Sequence, residues 1–119
     1  PEKPTSLDRQ LHDVLRRQTL IALHSPTTLS AAVDLESKFT ESALGQVQIC
    51  DYRQFAHGRH HWLAKRAADT AVLSIESLDD ELVASQTLAL LPKEIPVHRL
   101  VVRRKGWFAD LGAICEGFY

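Results

Sequence analysis

Lys38 and Glu41 stand three residues apart in Asp34-Leu-Glu-Ser-Lys-Phe-Thr-Glu41. On a helix they share one face, with Asp34 a turn earlier. Two readings fit that spacing. One is a solvated charged stripe. The other is an acid–base pair, in which the Glu41 carboxylate removes a proton beside a carbonyl and the Lys38 ammonium steadies the developing charge. His57-Gly-Arg-His-His61-Trp62 adds imidazoles that carry protons near neutrality. Gly58 permits close backbone approach or an unusual dihedral. His57 packed structurally beside Trp62 fits these residues as well as a catalytic His57 does. His57 and His61, four apart, would share a helical face, but no third ligand stands at a recognisable spacing, so no metal is expected. His24-Ser-Pro-Thr-Thr28 carries hydroxyls just ahead of a helical stretch. Such residues either cap the helix or, with its unpaired amides, contact an anion.

These groups need elements to hold them. Leu7, Leu11, Val14 and Leu15 recur at helical spacing through about Gln18, after a linker-like lead-in over 1–5. Thr19–Leu23 is a short apolar run that reads as a strand buried on both faces. A helix is predicted from about Leu29 to Leu44, closed by Gly45 as a left-handed cap. Val47–Cys50 gives a second strand, followed by a loop over 51–55 and a helix from about His57 to Arg66. Ala71–Ile75 is a third strand. Asp79 or Asp80 then caps a helix through Leu91, which Pro92 stops, and Val97–Val102 is a fourth strand. Residues 103–119 form a closing segment whose Trp107, Phe108, Phe118 and Tyr119 cover the sheet edge or fill a dimer interface. The alternation predicts one α/β domain over 1–119, three-layered (αβα) and flavodoxin-like, with a mainly parallel sheet of four or five strands. Ligands in such folds meet the carboxyl ends of the strands, here the loops His24–Thr28, Asp51–Arg59 and Glu76–Asp80.

Composition narrows the classes. The chain has 119 residues, 45% apolar and 24% charged, with a net charge of −1, which excludes disorder and argues against a nucleic-acid-binding module. No apolar run approaches the roughly 18–20 residues that cross a bilayer, so no membrane is expected. Cys50 and Cys115 have no metal-like spacing and read as small buried residues in a reducing cytoplasm. The cluster of Arg99 with Arg103-Arg104-Lys105 reads as a solvated strand end. The chain begins at Pro1 and contains no Met, which suggests a piece of a longer protein.

Ala32-Val-Asp-Leu-Glu-Ser-Lys38-Phe-Thr-Glu41, with His57-Gly58 following Glu41 by 16 positions, resembles the SIS (sugar isomerase) domain. The likeness spans about Thr19 to Val102 and is to the second SIS subdomain in the isomerase half of glucosamine-6-phosphate synthase. That resemblance implies a role for Glu41 as the base shuttling a proton between C1 and C2 of an open-chain sugar phosphate. It implies that Lys38 is the nearby cation and that His57 is associated with ring opening, in the family sometimes at a neighbouring subunit's site. Ser25, Thr27 and Thr28 match the loop bordering the ligand. No cofactor is implied, because this proton chemistry requires none.

Three departures accompany the likeness. Gln54 stands where the family often has Glu, and Arg59 replaces the Pro after His-Gly, where it is offered as a bidentate phosphate donor. The Ser-x-Ser-x-x-Thr phosphate loop is absent and belongs, in two-subdomain members, to the first half. The expected partners are therefore a sugar phosphate, the missing first SIS subdomain and a second copy of the chain. The leading expectation is isomerase-type proton transfer, or a related deamination or deglycation. A non-catalytic phosphosugar-sensing module and a structural dimerisation subdomain are the alternatives.

Overall fold

The computed structural model describes residues 13, 14, 16–59 and 61–102. Four strands, β1 (Thr19–His24), β2 (Gln46–Asp51), β3 (Thr70–Ser77) and β4 (Val97–Val102), form one sheet in the order β2-β1-β3-β4. Every pairing is parallel. The central strands β1 and β3 are almost wholly buried, as their unbroken apolar runs require. The α/β, three-layer expectation holds.

The helices cover both faces. Helix α1 (Leu29–Glu41) sets Ala31, Ala32, Leu35 and Phe39 against Leu20, Ala22, Ala71, Leu73 and Ile75. The opposite face packs Ile21, Leu23, Cys50 and Val72 against Tyr52, Phe55, Leu63 of α2 (His61–Arg66) and Ala84 of α3 (Glu81–Leu88). Alternate residues of β1, β2 and β3 thus feed two cores, as the twofold side-chain period dictates, while β4 adds Leu100 and Val102 to the α1 side. The chain crosses one face between β1 and β2, then returns over the other face to place β3 on the far side of β1. The crossovers therefore reverse between β1 and β3, and their carboxyl ends form a switch point.

Three local expectations are corrected. Helix α1 ends at Glu41 rather than Leu44, and Ala43, not Gly45, takes the left-handed position, with φ 54°. The Leu44 amide bonds the Phe39 carbonyl at 3.0 Å and the Ala43 amide bonds Thr40 at 3.2 Å, a Schellman closure. Gly45 serves a different need: a Cβ there would lie 3.2 Å from the Gln18 carbonyl oxygen. The helix predicted over 57–66 is instead one turn at Tyr52–Gln54, a kinked segment at Phe55–Arg59 and then α2. The break is at Gly58, whose φ of 143° no helix accommodates. Helix α3 is shorter than expected because the tight turn Leu78–Asp80 precedes it and the helix ends at Leu88. The lead-in over 1–5, most of the first helix and the closing segment 103–119 lie outside the described residues, although Val14 is buried in the α1-side core.

Candidate functional site

The carboxyl edge of the sheet gathers the polar groups. As β1 ends, His24 Nδ1 donates to the Ser25 carbonyl at 2.9 Å, since a carbonyl can only accept. Thr28 Oγ1 accepts the Ser25 amide at 2.9 Å and donates to the Ile75 carbonyl at 2.8 Å. The hydroxyl that sequence reading offered as a cap is therefore spent joining the β1 loop to β3, and α1 starts without a side-chain cap or an acidic residue in its first turn. Ser25 Oγ donates to Asp80 Oδ2 at 2.7 Å, while the Ser77 amide and hydroxyl reach the same oxygen at 2.8 Å each. Burial pushes the Asp80 carboxyl up, but these three donors outweigh it and hold the group below the usual carboxylate value of 3.8.

A second polar chain lies beneath this edge. Glu76 is 1% exposed, yet it is fully engaged. Arg99 Nε and Nη2 meet its two carboxylate oxygens at 2.7 and 2.8 Å, and Ser74 Oγ donates to Oε2 at 2.9 Å. Because Ser74 spends its proton on Glu76, the 2.7 Å contact with Tyr52 must be donated by the phenol. The relay runs Tyr52→Ser74→Glu76, with Arg99 closing it. Burial pushes the Tyr52 phenol far above its ordinary value. The register explains the assembly: Ser74 pairs with both Leu23 and Arg99 across neighbouring strands. A cavity of about 250 Å³ opens here, lined by Glu76, Ser77, Leu78, Glu81, Arg99 and Val101.

The remaining sequence-derived candidates sit elsewhere. Lys38 Nζ meets Asp34 Oδ2 at 2.7 Å, an i,i+4 pair on the surface of α1. Glu41 is exposed on the last residue of that helix. The turn that follows leads to Gln46, whose amide bonds the Gln18 carbonyl, so Glu41 lies toward the amino edge of the sheet. His57 is exposed in the kinked segment, which packs through Phe55 on the face opposite α1. Lys38 and Glu41 are thus neighbours, and His57 is not brought to them within one chain. Ser25 and Thr28 are buried together at the carboxyl edge, with Thr27 exposed beside them. The Arg59 side chain lies outside what is described, as do Arg103–Lys105 and Cys115. Cys50 is buried in the core, as expected. Among the described residues no group of three or more His, Cys, Asp or Glu is placed to hold a metal ion. Among them, too, no helix is long and apolar enough to cross a membrane.

Sequence reading placed Glu76–Asp80 among three strand-end loops but assigned it no chemistry, and it treated Arg99 as solvated. Only alternation along β4, which turns Arg99 toward the face of Ser74 and Glu76, carried a trace of the pair. Compared with known proteins, the chain matches no family model, no curated protein and no solved structure.

Proposed function

We propose that this chain is a phosphosugar-binding module of the SIS type, which holds its ligand at the carboxyl edge between β1 and β3. The observation that carries this reading is the strand order β2-β1-β3-β4, with α1 beginning uncapped at the point where the crossovers reverse. Amides at such a helix start favour a phosphate, and Thr27 stands exposed beside them. Asp80 opposes a second anion nearby and instead suits ligand hydroxyls, which can donate to it as Ser25 and Ser77 do. The resemblance carried by Lys38, Glu41 and His57-Gly58 supplies the sugar phosphate as the ligand class.

Turnover by one copy alone is not part of this reading. Aldose–ketose proton transfer through Glu41, with Lys38 and His57 assisting, would act on a ligand held by another surface, because Glu41 lies toward the amino edge of the sheet, away from the carboxyl edge of β1 and β3. A first SIS half, with its Ser/Thr phosphate loop, or a second copy of the chain would provide that surface.

Thermal unfolding in the presence of glucose 6-phosphate, fructose 6-phosphate and glucosamine 6-phosphate tests the reading. At about 100 times its Kd a ligand adds roughly 2.7 kcal/mol to stability, a shift of several degrees. Ser30→Asp places an acid in the first turn of α1, which suits the helix dipole yet repels phosphate, so this variant should fold and lose the shift. No shift with any of the three, or the same shift with unphosphorylated glucose, would overturn the reading.

A further inference from the structure

The cavity at the carboxyl ends of β3 and β4 has its own charge pattern. Arg99 uses its Nε–Nη2 edge on Glu76, and Nη2 also reaches the Glu81 carbonyl at 3.4 Å. The guanidinium is thereby locked in place while Nη1, which has no partner among the described residues, is left for a ligand. With Nε and both Nη2 protons engaged, Nη1 is held in a fixed orientation from which it can donate to an oxyanion. Glu81, exposed at the start of α3, also lines the cavity, and its charge acts on Arg99. Leu78, 65% exposed, and Val101, 36% exposed, supply the apolar part of the lining.

Each single-charge ligand meets an obstacle here. The Arg99–Glu76 pair is neutral as a unit, so Glu81 leaves the cavity net negative and repels a simple anion or a phosphate dianion. A simple cation satisfies Glu81 but leaves Arg99 Nη1 without an acceptor. A molecule bearing carboxylate and ammonium on neighbouring atoms, with a small apolar side chain, meets all three features. We propose that this cavity binds an α-amino acid with a small aliphatic side chain, its carboxylate on Arg99 Nη1 and its ammonium on Glu81. The volume, about 250 Å³, suits a ligand of that size and not a large one. Nothing in this site depends on the phosphosugar reading.

L-valine is the probe, followed by calorimetry and by amide chemical shifts in the intact chain. Isovalerate, which lacks the ammonium, and isobutylamine, which lacks the carboxylate, are the controls. The expected result is saturable binding of L-valine, with shifts at Leu78, Glu81 and Val101, and binding of each control weaker by about tenfold or more. Arg99 is built into the core pair, so the decisive variant is Glu81→Gln at its exposed position. It should weaken L-valine by about tenfold while leaving isovalerate unaffected or slightly tighter. Absence of L-valine binding at about 10 mM, equal binding of isovalerate and L-valine, or undiminished L-valine affinity in Glu81→Gln would each overturn the assignment.

Discussion

Asp80 Oδ2 accepts hydrogen bonds from Ser25 and from both the amide and the hydroxyl of Ser77, so one oxygen fastens the β1 loop to the end of β3. These bonds need the ionised form, which is why the carboxyl is held below 3.8 despite its partial burial. A folded value below the unfolded one means that the native state binds fewer protons. Its contribution to stability is therefore present above about pH 4 and is lost as the pH falls through the folded value. Asp80→Asn removes that titration. Thermal melts should show the wild type more stable than the variant near pH 6, and the gap closing as the pH drops below about 4. A gap that does not change with pH would mean that the carboxylate charge is irrelevant to the fastening. His98 titrates in the same direction for another reason: burial lowers its value, so the native state resists the proton that the unfolded chain accepts.

At the scale of elements, two departures from regular helix decide where side chains go. The Schellman closure of α1 sets Ala43 at φ 54°, a conformation that costs an L-residue and suits glycine. Ala43→Gly should therefore stabilise the protein by roughly 0.5–1 kcal/mol, after the extra unfolded-chain entropy of glycine is subtracted. A rise in urea midpoint at unchanged m-value is the check. Gly58 interrupts the second helical stretch at φ 143°, although a Cβ there would meet no atom within 4 Å. The requirement is one of backbone conformation, not of space. His57 and His61 consequently sit on either side of a kink instead of one turn apart on a single face.

At the scale of the whole molecule, the sheet separates two apolar cores that share β1, β2 and β3. Phe39 anchors the α1 side and Phe55 the other, 2% and 0% exposed. Phe39→Leu and Phe55→Leu should each cost about 1–2 kcal/mol through lost contacts and residual cavity. The two losses should add to within about 0.5 kcal/mol, because the sheet keeps the sites out of contact. Far-UV and tryptophan signals should nevertheless give one coincident transition, since strands common to both cores cannot unfold by halves. Separate transitions for the two signals would refute that coupling.

Apolar runs at Thr19–Leu23 and Ala71–Ile75, separated by helical stretches, are enough to predict a parallel α/β sheet, because burial on both faces forces continuous hydrophobicity. The helix at 29–41 was legible for the same kind of reason, since Ala32, Leu35 and Phe39 mark one face at helical spacing. Pairings between distant residues were not legible. Arg99 and Glu76 are 23 positions apart, and Ser25 and Asp80 are 55 apart. Sequence period says which face a residue takes, but not which strand lies beside it. Strand order decided those partners, and it also set Glu41 and His57 on opposite faces of the sheet. Local composition fixes periodicity through short-range sterics and burial; which polar groups meet depends on how the crossovers order the strands, a property of the folded chain as a whole.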